Sequence, residues 1–224
     1  MIRFKGRHFP KDILLTCLRW YLAYQLSYRD IEEMMAERGT QVDHSAIQRW
    51  VDQYAPKLEA ELTKKWKRPT GSRWRMDETY IKVKGEWKYL YRAVDKSGNT
   101  IDFLLTAKRD KKAALRFFKK AIGTAGEPAL VNIDKSGANT AALEELNKSM
   151  DKPIEIRQCK YLNNVIEQDH RPVKEKMRQA RGGKKFHSAH NTVRGVERWL
   201  MLKKGQHVLG DDESPVALFY ALAA

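Results

Sequence analysis

The hydrophobic pattern of this chain changes its period once, at a short linker that spans residues 67–73. Before the linker, apolar residues recur at the three- and four-residue spacing of helices. After it, runs of β-branched and aromatic residues separated by turns predict strands. At 224 residues, 42% of them hydrophobic, the chain has room for one large domain, or for a small and a medium domain. We therefore predict a helical region at 1–66 and a β-rich domain after the linker.

The region before the linker predicts three helices and a fourth that leads out. Ser27 and Asp30 have the pattern of a capping box, Asp43 is a candidate N-cap, and Pro56 is expected to end the third helix. The second and third helices, joined by a turn with a glycine, form a helix-turn-helix candidate. Its outward face would carry side chains that can pair with base edges, namely His44, Ser45, Gln48 and Arg49. An ordinary three-helix bundle with a polar face would show the same pattern.

After the linker, the order of elements is three strands, helix, strand, helix, strand and helix. A three-stranded meander followed by crossover units predicts a mixed five-stranded sheet with helices on its faces. This is the order of a ribonuclease-H-like fold, so the fold class expected is α+β. We assign this domain to residues 74–180 and expect a basic helical extension at 181–224, packed on the core.

The charge of the chain points to a polyanionic partner. The net charge is +15, and residues 171–204 hold eleven Lys and Arg against two acids. We interpret this segment, which includes Lys184 and Lys185, as a surface that follows a DNA backbone. A solvated helix surface is the alternative.

The two cysteines and the length of the apolar runs indicate the cellular compartment in which the chain is expected. Cys17 and Cys159 are far apart in the sequence and have no metal-ligand spacing, which favours a reducing, intracellular setting. No apolar run approaches the length needed to span a membrane. We therefore expect a cytoplasmic protein of a bacterium or archaeon, associated with the nucleoid when it is bound to DNA, with no membrane partner and no small-molecule substrate.

Three acids fall where a metal site could form. Asp77 lies in the first strand, Asp134 directly follows a buried strand, and Glu167 lies on the late helix. Mg²⁺ prefers such oxygen ligands, and two ions can activate an attacking oxygen and stabilise a leaving one at phosphorus. Glu78, next to Asp77, points to the opposite strand face. Any single acid is most often a surface charge. The order of the three acids and the elements that carry them therefore do not decide whether they form a metal site.

Several motifs, in order, resemble the DDE transposases of bacterial insertion sequences, most closely the insertion sequence six family. The resemblance covers about residues 4–202, and its motifs are Leu26–Asp30, Val42–Val51, Met76–Tyr80, Trp87–Asp95, Ile133–Lys135, Tyr161–Arg171 and Val173–Lys174. It implies a ribonuclease-H-like catalytic domain that cleaves DNA at terminal inverted repeats and joins the ends to target DNA. The 32 residues between Asp134 and Glu167 are slightly fewer than is usual in the family.

The resemblance also implies roles for individual residues. Asp77, Asp134 and Glu167 would be the metal-binding triad, holding two Mg²⁺ ions for which Mn²⁺ could substitute, and Lys174 would be a catalytic basic residue. Helical spacing would place four DNA-binding side chains in one stripe along this helix, namely His170, Arg171, Lys174 and Arg178. Bringing two DNA ends together implies a homodimer or a larger assembly.

Pro172 lies inside this proposed catalytic helix, where we expect a kink or a helix end that could turn Lys174 away from Glu167. Two other functional classes fit parts of the sequence. A DNA-binding regulator needs the helix-turn-helix but no triad. A metal-dependent nuclease needs the triad but does not join strands.

Overall fold

A computed structural model describes residues 8–66, 68–159, 164–180, 185–208 and 213–223. The chain divides into two compact units. The helical unit combines residues 1–68 with 175–224, and the sheet unit comprises residues 69–174. The described helices of the helical unit are α1 Lys11–Ala23, α2 Tyr28–Glu37, α3 His44–Glu61, α7 Phe186–Lys203 and α8 Pro215–Ala223.

The helix starts predicted in the N-terminal region are confirmed. The Ser27 hydroxyl accepts from the Asp30 amide at 3.1 Å, and the Asp30 carboxylate accepts from the Ser27 amide at 2.7 Å, which is a complete capping box. Asp43 caps α3 through the Ser45 amide at 2.8 Å. These caps satisfy amide groups that a helix start leaves without partners.

The prediction that Pro56 ends the third helix is wrong, because α3 continues through it to Glu61, and a π-helical segment, Leu62–Trp66, follows. A proline inside a helix deprives the carbonyl four residues earlier of its donor. That carbonyl belongs to Asp52, and it accepts from the Asn191 side chain of α7 at 3.1 Å. A neighbouring helix therefore compensates for the proline, and the expected fourth helix becomes an extension of α3.

The C-terminal helices belong with the N-terminal ones. We expected residues 181–224 to pack on the catalytic core, but α7 packs along α3, and α8 contacts α1, α3 and α7. The physical reason is the buried side of α7, which carries Ala189, Val193 and Val196 toward the helical core. The segment therefore completes the helical unit.

The sheet unit confirms the expected α+β fold class and mixed five-stranded sheet. Its strands are β1 Arg73–Val83, β2 Glu86–Asp95, β3 Thr100–Thr106, β4 Leu130–Ile133 and β5 Glu155–Gln158. The strand order is β3-β2-β1-β4-β5, with β1, β2 and β3 antiparallel and β4 and β5 parallel to β1. This is the meander with crossovers that the sequence predicted for a ribonuclease-H-like core.

Helices α4 Lys111–Ala125 and α5 Gly137–Asn147 connect the parallel strands. Their apolar sides pack on one sheet face, where Phe117, Phe118 and Leu143 join Trp74 and Met76 in a buried cluster. Helix α6, Asn164–Gln179, follows β5 and runs from the sheet unit into the helical unit. The helix end that we considered at Pro172 is not present, since α6 continues for seven residues beyond it.

Within the residues that the structure describes, no helix is long and apolar enough to span a membrane.

Gly195 of α7 lies at a close contact in the helical unit that leaves no room for a larger side chain. A Cβ added there would lie 2.5 Å from Leu22 Cδ2 and 3.1 Å from Ala55 Cβ. We expect Gly195→Ala to lower the free energy of unfolding by about 1–3 kcal/mol, because α1 and α3 must move away from α7 to make room for the added methyl group. The matched control is Gly123→Ala in α4, where nothing lies within 4 Å. Urea unfolding followed by circular dichroism should show no loss in the control, and equal losses in both variants would contradict the packing argument.

Candidate active site

Two of the predicted acids lie on neighbouring parallel strands. The last pair in register between β1 and β4 is Arg75 with Asn132. Asp77 and Asp134 both lie two residues beyond this pair, Asp77 within β1 and Asp134 just after β4. Adjacent strands are about 4.8 Å apart, so the fold brings these two backbones together. The carboxyl end of a parallel strand is where α/β sheets usually place their ligands.

Asp134 is held in a network on the α4 and α5 side of the sheet. Its carboxylate accepts from the Ser136 amide at 3.0 Å and lies 3.8 Å from the Arg109 guanidinium. The Arg109 Nε donates to buried Glu78, whose other oxygen accepts from Asn139 of α5 at 2.9 Å. Arg109 therefore balances the charge of both acids.

Glu78 illustrates how the strand separates two adjacent acids. Glu78 contacts Arg109 and Asn139, whereas Asp77 contacts α6, so the prediction that they point to opposite faces is confirmed. Burial raises the pKa of the Glu78 carboxyl above its ordinary value, although Asn139 and Arg109 offset part of the effect.

Asp77 is joined to α6 through a histidine. Its carboxylate lies 3.3 Å from the His170 Nε2. One residue earlier on α6, Asp169 pairs at 3.3 Å with Arg92, a fully buried side chain opposite Asp77 in the β1–β2 register. Two polar contacts therefore attach α6 to the sheet beside Asp77.

The faces of α6 correct part of the predicted DNA-binding stripe. Ile166, His170, Val173 and Met177 form its buried face. The exposed residues on the other face are Glu167, Arg171, Lys174 and Arg178. His170 does not belong to the surface stripe, because only 3% of the residue is exposed and its ring reaches Asp77. The seven residues from Glu167 to Lys174 span about two helical turns, so both project from one side of α6.

The three acids do not already form a closed ligand set. Among described residues, the only three candidate ligands whose atoms all lie within 4.8 Å of one another are Glu32, Asp43 and His44. Three carboxylates repel one another unless a cation balances them. Here the Asp77 carboxylate contacts His170, and the Asp134 carboxylate lies near the Arg109 guanidinium.

The predicted base-reading face of α3 is partly covered. His44 hydrogen bonds to Glu32 at 3.0 Å. Together with Gln48, Arg29 and Arg178, it lines a cavity of about 650 Å³ within the helical unit. Arg49 is exposed and donates to the Ser45 hydroxyl at 3.1 Å. The helix-turn-helix is therefore present as two helices and a turn, and its use in reading DNA stays a prediction.

The basic segment 171–204 is not uniformly a surface. Lys176 is 1% exposed, and Arg194 and Arg198 both pair with Glu59 of α3. Burial works against the charge of Glu59, but these two guanidinium groups outweigh it and hold its pKa below the ordinary value. Arg194 and Arg198 are therefore engaged within the helical unit. Lys185 is exposed, whereas Lys184 lies outside the described residues.

Comparison with known proteins gives the family. Residues 71–206 match a family model described as a DDE domain. Over 195 residues the chain is 43% identical to the transposase for insertion sequence-like element IS431mec of Staphylococcus aureus, covering 87% of this chain and 85% of that protein. The chain belongs to the DDE transposases of insertion sequences. A second relative, the transposase for insertion sequence element IS257 in transposon Tn4003 of Staphylococcus aureus, is 42% identical over the same shares of this chain and of that protein.

Solved structures similar to the transposase are retroviral integrase cores. The catalytic core domain of HTLV-2 integrase in complex with magnesium, in its trimeric form, aligns with a TM-score of 0.46 at 19% identity, over 57% of this chain and 83% of that chain. The catalytic core domain of BIV integrase aligns with a TM-score of 0.47 at 17% identity, over 67% and 95%.

The family predicted from the sequence motifs is therefore confirmed. The transposase is a polynucleotidyl transferase that acts in DNA transposition by DDE-type chemistry, with DNA as substrate and divalent metal ions as cofactors.

Sequence reasoning missed the polar groups that hold the acids in the transposase. Arg109 and Asn139 contact Glu78 across the fold, and no spacing in the sequence connects them with it. Arg92 is fully buried beside a charged partner, which alternation along a strand does not reveal. The one local signal was Asp110, which caps α4 and so fixes the chain next to Arg109.

Proposed function

We propose that the transposase cleaves the 3′ ends of its element at terminal inverted repeats and joins them to target DNA, with Asp77, Asp134 and Glu167 as metal-binding carboxylates. The observation that supports this most directly is that β1 and β4 adjoin, with Asp77 within β1 and Asp134 directly after β4. The contact between Asp77 and His170 links this pair to α6, the helix that bears Glu167.

The donor set fits Mg²⁺. All three side chains offer hard oxygen ligands, and magnesium is usually held by one or two carboxylates with water and substrate phosphate completing its coordination. Asp77 and Asp134 are partly exposed, at 20% and 38% of their side chains, so solvent and DNA can reach them. We propose two ions per site, which would activate the attacking oxygen and stabilise the leaving oxygen, and for which Mn²⁺ could substitute.

The residues around the acids hold DNA and position the ligands. Exposed Arg171, Lys174 and Arg178 would bind DNA phosphates along α6. His170 restrains the Asp77 carboxylate, and Arg92 with Asp169 fixes the start of α6 against the sheet. Positioning of this kind lowers the barrier to in-line attack, because the reacting groups need not be reoriented.

We further propose that helices α1–α3 recognise the inverted repeats and that two or more chains assemble around paired ends. Arg49, exposed on α3, is the best-placed side chain to reach a guanine edge.

The reaction can be tested with a labelled inverted-repeat end, a plasmid target and Mg²⁺ or Mn²⁺. The proposal expects a nick at the 3′ end followed by products joined to the plasmid, both dependent on the metal. Nicked ends without joined products would identify a nuclease. Binding of the labelled end with neither product would identify a regulator, and either result would overturn the proposed function.

A further inference from the structure

The far end of the β1–β2 hairpin has an exposed aromatic surface. Trp87 is 59% exposed and Tyr80 is 44% exposed. The register pairs Tyr80 with Tyr89 and Lys82 with Trp87, so these four side chains share one sheet face, and we name them the hairpin platform. The Tyr80 ring lies 6.4 Å from the Trp87 ring and 5.2 Å from the Tyr89 ring. Trp87 and Tyr80 therefore present their rings to solvent, in edge-on and tilted contact with each other and with half-buried Tyr89.

The platform is also positively charged. The Lys82 ammonium lies 5.7 Å from the centre of the Trp87 ring, a cation–π contact. Lys84 adds a second cation at the turn, and the one acid within residues 80–89 is Glu86, which pairs at 2.7 Å with Lys88 on the opposite sheet face. Aromatic rings interleaved with lysines suit a partner that offers both flat rings and negative charge.

Arg109 connects the platform to the candidate active site. Its guanidinium contacts the Tyr80 hydroxyl at 3.4 Å and the Asp134 carboxylate at 3.8 Å, while its Nε is held by Glu78. A single side chain therefore separates the aromatic surface from an acid of the proposed triad. A DNA strand whose phosphate reaches Asp134 has its neighbouring nucleotides within reach of Tyr80.

We propose that the hairpin platform binds unpaired bases of the DNA strand next to the phosphate that is being cleaved or joined. Aromatic side chains stack on any base, and lysines hold the backbone between bases. Paired bases are already stacked within a duplex, so the platform selects bases that have left it. The inference rests on the assignment of Asp134 to the active site.

The charge of the platform argues against a second copy of the chain as its occupant. Two copies of this surface would bring four lysines together around a few aromatic rings. A stable contact between chains normally buries more than about 1,000 Å² and leaves few charges unpaired.

The test uses the full chain without divalent metal, so that DNA binds but is not cut. The probes are two fluorescent duplexes, one fully paired and one with a short unpaired flank that contains 2-aminopurine, a base analogue whose emission falls on stacking. We expect Trp87→Ala to weaken binding of the flanked duplex by about tenfold and to leave the paired duplex within about twofold of wild type. The emission of the bound analogue should rise. Trp87→Phe, which keeps a ring, should restore most of both signals.

The matched control is Tyr24→Ala, which removes an aromatic ring that is 50% exposed in the helical unit. It should change neither probe. Equal losses on both duplexes, or unchanged binding and emission in Trp87→Ala, would overturn the proposal. So would loss of self-association in Trp87→Ala with unchanged DNA binding, measured by sedimentation. Because the assay needs no metal and no cleavage, failure of the proposed catalytic reaction would leave its result intact.

Discussion

Replacing Asp77 with Asn should reduce strand joining by roughly a thousandfold or more, because the variant would lose the charge of a proposed metal ligand while keeping the shape of the side chain. The same loss is expected for Asp134→Asn and Glu167→Gln. Each removes several kcal/mol of stabilisation from the charge that develops on phosphorus. The measurement is the rate of joined product from a labelled inverted-repeat end at saturating Mg²⁺.

The control for this series is Asp151→Asn, the same chemical change at an exposed loop position. It should join strands at the wild-type rate. Fluorescence anisotropy should show that all three acid variants still bind the DNA end, since the proposed phosphate contacts come from basic side chains. If Asp77→Asn retained more than about a tenth of the wild-type rate, its role as a metal ligand would be refuted.

Raising the pH from 7 to 10 should stabilise the helical unit against unfolding, and Lys176→Met should abolish that gain. Lys176 donates to the Tyr24 and Leu26 carbonyls at 3.0 and 2.7 Å and lies 3.7 Å from the Tyr21 ring. Burial lowers the pKa of this ammonium to about 7, and Asp30 opposes the shift only in part.

The sign of this pH dependence follows from where the protons are bound. In the unfolded chain a lysine has a pKa of about 10.4, so between pH 7 and 10 the unfolded state binds more protons than the folded state. Stability therefore rises with pH through this window, by at most about 4 kcal/mol, and the gain is lost progressively as the pH falls from the unfolded pKa to the folded pKa.

Urea unfolding of the wild type and of Lys176→Met between pH 6.5 and 9.5 measures the effect as a difference, which removes contributions common to both proteins. Lys203→Met, a matched change at an exposed position of α7, should follow the wild-type curve. A Lys176→Met protein that gained as much stability with pH as the wild type would show that the ammonium remains charged throughout.

The local features of the fold followed from local chemistry. The Ser27 and Asp43 caps, the β1–β3 meander and the buried β4 strand each depend on residues close together in the sequence, and all are present. Pro56 was misread because its cost is offset by Asn191, which lies 135 residues later. The packing of α7 on α3 was missed for the same reason, since the sequence of a basic helix with an apolar side does not indicate which other helix that side packs against.

The candidate site shows the same limit. Strand context correctly placed Asp77 within β1 and Asp134 directly after β4, and the alternation of a strand separated Asp77 from Glu78, but the pairing of β1 with β4 came only from the fold. Helical spacing of three to four residues could not decide whether His170 faces solvent or the sheet, because the stripe is wide enough for either. Only the packing of Ile166 and Val173 fixes the rotation of α6 and turns His170 toward Asp77.

Diffraction at the manganese absorption edge, from crystals of the transposase bound to its DNA end and Mn²⁺, tests the assignment of the triad most directly. The account predicts anomalous density in contact with the carboxylates of Asp77, Asp134 and Glu167, beside the DNA phosphate. Density held by Glu78 or Asp169 in place of Glu167, or found only at Glu32, Asp43 and His44, would contradict it.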